Sequence, residues 1–331
     1  MKILIIRLSS IGDIVLTTPA IRCLKQQIKE SEIHFLTKKS YAAVLRFNPY
    51  IDKLHFWEKS DKKKIIIGLQ LENFDYVIDL HHNFRTFSIK KQLKAKSYSF
   101  YKANVEKYLM VRLKWDKLPK QHIVDRYLAT ASELGIKNDN KYLDYFISES
   151  DKIEMSTYLA PENTKNYIAF VIGATYSTKR LPIEKMLEIC ELIERPIVLL
   201  GGREEAKDGE YLAQKIGGKV VNLCGHLRLN QSASVVQQAA KVISHDTGLM
   251  HIAAAFQKPI LSVWGNTIPE FGMYPYLNKT QAAKSKMVQV RDLPCRPCSK
   301  IGFQKCPKKH FACMNLIDVN EIADWANEID G

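Results

Sequence analysis

The chain has 331 residues, 46% of them hydrophobic, which is more than one core usually organises and enough apolar material for two. Its formal net charge of +14 favours an anionic partner, whether nucleic acid, phospholipid surface or phosphorylated substrate, without choosing among them. No stretch approaches the roughly 20 apolar residues of a membrane-spanning helix, residues 1–8 are too short for a signal sequence, and Cys23, Cys190 and Cys224 stand alone in core-like segments, so the expectation is a soluble, cytoplasmic protein without a disulfide framework.

Residues 3–8 form a short β-type run, followed by Ser9-Ser10-Ile11-Gly12-Asp13 and then by apolar residues at helical spacing (Ile14, Leu16, Ile21, Leu24, Ile28). Further apolar runs at 33–36, 53–57, 76–80 and 97–101 alternate with helical stretches, the pattern of a parallel sheet with crossover helices. A helix over 122–134 ends at Gly135. After a polar, strand-poor segment at 148–165 the alternation restarts, with strands at 167–172, 197–200, 220–223, 242–244 and 260–263 and helices near 184–193, 204–216, 231–239 and 249–255. Asp318, with Glu321 three residues on, opens a last helix over 319–329. The expected fold is therefore α/β, two Rossmann-like, doubly wound parallel-sheet domains (1–155 and 156–331) facing across a cleft, with a cysteine-rich segment at 295–313 and a final helix placed to pack back on the first domain.

Ligands of such sheets bind beyond the carboxyl ends of the strands, so the strand-to-helix loops carry the candidates. In the first, Ser10 and Gly12 let backbone N–H groups approach an anion, and Asp13 offers either a general base for a sugar hydroxyl or a simple helix cap. In the second, the N–H groups of Thr247 and Gly248 at a helix start suit a diphosphate; Asp246 caps that helix or faces sugar hydroxyls, and His251 lies one turn inside, facing the same ligand or packed. The loop after the first strand of the second half supplies Thr175, Lys179 and Arg180, whose cations would neutralise a departing nucleoside diphosphate. No Asp-x-Asp pair occurs in the chain, so no catalytic metal of that type is expected. Glu204 and Glu205, after Gly201-Gly202, suit ribose hydroxyls or a helix first turn. Cys295, Cys298, Cys306 and Cys313 read as a structural zinc site, as free thiols or as disulfides.

Taken in order, Arg7-Leu8-Ser9-Ser10-Ile11-Gly12-Asp13 with Thr17-Thr18-Pro19-Ala20, Asp79-Leu80-His81-His82-Asn83-Phe84-Arg85, Val124-Asp125-Arg126-Tyr127-Leu128, Leu199-Leu200-Gly201-Gly202 and Asp246-Thr247-Gly248-Leu249-Met250-His251 with Lys258-Pro259 resemble glycosyltransferase family 9, the ADP-heptose:lipopolysaccharide heptosyltransferases of GT-B fold. The resemblance runs through nearly the whole chain. It departs at Leu181, where family members often carry Trp, and at His82, where Gly is common. It implies an inverting transfer of a heptose or related sugar from a nucleoside-diphosphate sugar, expected to be ADP-heptose, to a hydroxyl of the lipopolysaccharide inner core, with no cofactor needed for the chemistry. Asp13 would be the base, while Thr175, Lys179, Thr247 and Gly248 would hold the diphosphate. Asp246 and His251 would lie at its sugar end, Glu204 or Glu205 at the ribose, and Arg85 with Ser10 and Gly12 at a lipid-linked anionic saccharide acceptor. The basic first half would then touch the cytoplasmic face of an anionic inner membrane, where each Lys or Arg contributes on the order of 1 kcal/mol. Two rivals stand: a nucleotide-sugar epimerase of the same architecture, and a basic, zinc-containing nucleic-acid-binding protein. Nucleic acid is the less favoured partner, because it leaves two complete α/β halves with loop motifs unexplained.

Overall fold

The computed structural model describes residues 1–328. They form two compact units, one of Met1–Lys102 with Gln121–Phe146 and one of Ala103–Lys120 with the chain from Ile147 onward.

In the first unit β1 (Lys2–Ile6) leads into α1 (Ile11–Val15) and α2 (Thr18–Gln27). The single helix expected after β1 is broken there because Pro19, in the first turn of α2, has no N–H to continue a ladder from α1. β2 (Glu32–Thr37), β3 (Lys53–Phe56), α3 (Lys62–Leu71), β4 (Tyr76–Asp79), α4 (Phe84–Leu93) and β5 (Lys96–Ser99) follow. The second unit takes up α5 (Asn104–Leu113), after which α6 (Ile123–Ala131) returns to the first. The five strands pair in parallel in the order β3-β2-β1-β4-β5. Ile3 to Ile6 are fully buried, as a strand covered on both faces requires.

The second unit continues with β6 (Ile168–Val171), α7 (Ile183–Leu192), β7 (Ile197–Leu200), α8 (Ala206–Ile216), β8 (Val220–Asn222), α9 (Leu229–Gln238), β9 (Lys241–His245), α10 (Gly248–Ala255), β10 (Ile260–Trp264), α11 (Lys279–Ala283), β11 (Lys286–Gln289), α12 (Ala312–Asn315) and α13 (Val319–Asn327). Its sheet is parallel, ordered β11-β10-β9-β6-β7-β8, the Rossmann order with β6 as first strand. α13 packs against α7 and β11 of its own unit, and Trp325 donates to the Lys284 carbonyl at 2.9 Å. The expected end of this helix at Ile329 lies outside the described residues. No described helix is long and apolar enough to cross a membrane.

Strand order reverses between β1 and β4 in the first sheet and between β6 and β9 in the second. These are the topological switch points, where helices leave on opposite faces and the loops part to leave a crevice. The loop after β1 holds Ser10 and leads to Asp13 in the first turn of α1, the loop after β4 leads to Arg85 in the first turn of α4, and the segments after β6 and β9 hold Thr175, Lys179, Asp246 and Thr247.

Candidate active site

At the first switch point Asp13 is the third residue of α1. Its carboxylate closes a capping box by accepting from the Ser10 backbone N–H at 3.2 Å and the Ser10 hydroxyl at 2.7 Å. Capping uses only Oδ2. Oδ1 meets the Arg7 guanidinium at 2.5 Å, and the Asp13 side chain keeps 19% of its surface exposed, so an outside group can reach it. Arg7 is pinned by the carbonyls of Leu80 (2.6 Å) and Ser9 (2.8 Å) and lies over the Tyr127 ring at 5.9 Å. Burial alone would raise the Asp13 carboxyl, but the Arg7 charge and the Ser10 hydrogen bonds outweigh it and hold it below the usual carboxylate range. Asp13 is therefore ionised throughout the physiological range.

The loop after β4 borders the same point. Asp79 accepts the backbone N–H groups of His81 and His82 at 3.0 and 2.7 Å, while Lys90 approaches its other oxygen at 3.1 Å. Burial, with Arg7 and Lys102 nearby, pushes the His81 imidazole down to about 4, so it is neutral at pH 7. Arg85 sits exposed in the first turn of α4 beside Phe84, a ring that is 96% exposed.

At the second switch point Lys179 and Asp246 form an ion pair at 2.5 Å, each side chain about 85% buried. Thr267, at the carboxyl end of β10, donates to the same Asp246 oxygen at 3.1 Å. Thr247 is the N-cap of α10 and shares a hydrogen bond with Ser244 at 3.1 Å, so Thr247 and Gly248 stand at a helix start with its free N–H groups and positive dipole end. The side chain of Asp246 is held by Lys179 and Thr267, whereas capping was the plainer expectation for it. His251 is buried at 2% exposure, one turn into α10. His245 accepts the Leu181 N–H at 3.0 Å, and burial first, then Arg180, pushes its imidazole down to about 4.

Glu204 and Glu205 part company. Glu204 is exposed, whereas Glu205 is buried, with one oxygen on Arg180 at 3.0 Å and the other accepting the Gly202 N–H at 2.8 Å. Gly173 and Gly201 make room for it, since a Cβ on either would stand 2.9 or 2.8 Å from a Glu205 carbon. The Thr175 carbonyl accepts from Gln304 at 3.3 Å, and Thr178 exchanges hydrogen bonds with the Phe303 backbone at 2.8 and 2.9 Å, so the 300–304 segment braces the loop after β6.

The cysteine-rich segment has three readings from sequence: zinc, free thiols and disulfides. All seven are free thiols, and among the described residues no three of Cys295, Cys298, Cys306 and Cys313 bring their sulfurs within 4.8 Å of one another. Burial pushes the Cys313 thiol up to about 12 and raises Cys298. Within this segment Arg296 instead takes an unexpected part. It donates to the carbonyls of Gly265 (2.5 Å) and Thr267 (2.9 Å) and to Gln289 (2.6 Å), fixing the loop that presents Thr267 to Asp246.

A model of glycosyltransferase family 9 (heptosyltransferase) matches residues 63–306, nearly three quarters of the chain. The chain belongs to glycosyltransferase family 9. It is 25% identical to the lipopolysaccharide heptosyltransferase 1 of Campylobacter coli, with 100% of this chain and 99% of the relative covered. It is 28% identical to the lipooligosaccharide heptosyltransferase 2 of Haemophilus ducreyi over 82% of this chain and 85% of that one. Its fold matches an E. coli heptosyltransferase solved with ADP, with a TM-score of 0.71 at 22% identity over 98% of each chain. Family membership favours sugar transfer over the epimerase alternative and leaves the nucleic-acid reading without support.

Proposed function

We propose that this family 9 enzyme transfers a heptose from ADP-heptose, with inversion, to a hydroxyl of a lipopolysaccharide inner core. The second unit holds the donor. A diphosphate at the start of α10 would take the N–H groups of Thr247 and Gly248 and draw Lys179 away from Asp246, leaving Asp246 with Thr267 and the sugar end, near His251. Thr175 joins Lys179 on the phosphate side, and Glu204, the free carboxylate of its pair, takes the ribose. As the glycosidic C–O bond breaks, charge grows on the departing ADP, and Lys179 with the helix start opposes it without a metal.

The first unit holds the acceptor, with Ser10, Gly12 and Arg85 at its anionic saccharide. Asp13 accepts the hydroxyl proton as the new C–O bond forms. A carboxylate with a low pKa is a weak base for a free alcohol, but the acidity of the hydroxyl rises steeply once its oxygen bonds to the anomeric carbon, so the transfer falls late in the step. Arg7 keeps Asp13 ionised and aimed. The observation that carries this reading is the Lys179–Asp246 pair beside the open N-terminus of α10 at a switch point.

Contact with an anionic membrane on its cytoplasmic face completes the proposal. It rests on the net charge of +14 and on α5, a helix with no buried residue, where Val105, Tyr108 and Leu113 are 62–68% exposed beside Arg112, and Trp115 follows. The test of the donor site is a thermal-shift screen of ADP-, GDP- and UDP-sugars. ADP-heptose alone raises the Tm, and Lys179→Ala removes most of the rise. An equal response to all three, or an unchanged one in the variant, contradicts it.

A further inference from the structure

Away from both switch points, three metal-type donors converge in the first unit. His34 in β2, His55 in the edge strand β3 and Glu72 at the C-terminal cap of α3 each bring one ligand atom within 4.8 Å of the others. The parallel register sets His34 beside Lys53, and His55 lies two residues on, on the same face of the sheet. His34 is fully buried. Its Nδ1 stands 2.9 Å from His55 Nε2 and 3.9 Å from Glu72 Oε2. Donor atoms around one tetrahedral zinc ion are about 3.3 Å apart at bond lengths near 2.0–2.1 Å, so the two separations straddle that spacing.

The surroundings suit the same use. His34 Nε2 lies 2.7 Å from Glu32 Oε1, and a carboxylate on one imidazole nitrogen fixes the tautomer and turns the other lone pair inward, as in carboxylate–histidine–metal arrangements. Phe74 packs edge-on against both rings at 5.2 and 6.2 Å.

We propose that His34 Nδ1, His55 Nε2 and the Glu72 carboxylate bind a divalent transition-metal cation of the zinc type, clamping β2 and β3 to α3 with one coordination position facing a groove of about 570 Å³ lined by Lys53, Glu58, Asp61 and Lys64. Two ammonium groups hold Glu72, Lys2 at 3.0 Å and Lys53 at 2.5 Å. Both have another place to go. Lys2 already lies 3.5 Å from Glu32, and the Lys53 side chain is 54% exposed. Loading therefore asks for two side-chain rotations and for the His55 proton to pass from Nε2 to Nδ1.

The test uses full-length protein stripped of metal and titrated with Co²⁺, then with Zn²⁺ in competition. One equivalent of Co²⁺ binds with the visible d–d bands of a four-coordinate nitrogen and oxygen site and without the intense near-ultraviolet thiolate absorption. His55→Gln and Glu72→Gln each weaken it by more than the roughly 10- to 100-fold that loss of an outer-shell partner costs, and a Cys295→Ser, Cys298→Ser double variant leaves it intact. Circular dichroism and thermal melts check that the variants fold; Glu72→Gln, at a helix cap, carries the test if His55→Gln does not. Absence of binding, thiolate absorption that vanishes in the double cysteine variant, or unchanged affinity in the folded His55 and Glu72 variants each overturns the proposal. Because donor binding is read separately, by the ADP-sugar thermal shift, failure here leaves the transferase reading standing and the converse also holds.

Discussion

Asp13→Asn separates chemistry from architecture. Asn keeps an oxygen to accept from Ser10 and so keeps the cap, but it gives up both the basic lone pair and the charge that meets Arg7 at 2.5 Å. A positioned general base contributes about 10²- to 10⁴-fold, roughly 3–5 kcal/mol of barrier, and kcat is expected to fall by that factor. Arg7, 7% exposed, retains the carbonyls of Ser9 and Leu80, so the structural loss is one charge-assisted hydrogen bond, about 2 kcal/mol, or roughly 4–8 °C in Tm. Donor affinity, measured by calorimetry with ADP, is expected to stay within about twofold, because Asp13 belongs to the first unit and the loops proposed to hold the donor belong to the second. Turnover within threefold of wild type by a coupled ADP-release assay, in a variant whose Tm has dropped as stated, would refute the role of Asp13 as base.

Gly173→Ala drives a Cβ to 2.9 Å from the Glu205 carboxyl and is expected to break the Arg180–Glu205 pair, weakening ADP-sugar binding several-fold with kcat less affected; unchanged binding would mean that this pair does not shape the nucleotide site. Thr267→Val frees Asp246 from its second partner and is expected to raise the donor KM more than it lowers kcat. Stability should also fall with acid in two stages. His245, fully buried, titrates near 4 when folded and near 6.5 when unfolded, so only the unfolded chain takes the proton between these values; that stability is present above about pH 6.5 and drains toward pH 4, by about 3 kcal/mol. Asp13, its carboxyl depressed, contributes stability present above about pH 4 and lost as pH falls through its lower folded value. Melts at pH 7.5 and 5.0 check the first stage, and a His245→Gln variant should show the smaller drop.

The two sheets were legible because their strands are short apolar runs separated by glycine and capping residues, and strand ends announced the Asp13, Lys179 and Asp246 loops. What stayed hidden depends on contacts distant in sequence. β11 (Lys286–Gln289) is an edge strand with two exposed residues, so it carries no apolar run to read. Thr267 and Arg296 enter the site only because β10 lies beside β9 in the sheet, although a position just beyond a strand's carboxyl end is itself a usable signal for Thr267. Glu204 and Glu205 are alike in sequence and opposite in environment, and the difference turns on Arg180, 25 residues away. Spacing drew attention to the cysteines and passed over His34, His55 and Glu72, which 38 residues of chain separate and one sheet edge unites.

The most direct measurement mixes the purified enzyme with ADP-heptose and a heptose-free lipopolysaccharide inner core and follows acceptor mass, ADP release and the configuration at the new linkage. A gain of one heptose per acceptor, one ADP per transfer and an inverted anomeric centre are expected. ADP release without acceptor growth, an isomerised sugar nucleotide, or retained configuration would contradict the account.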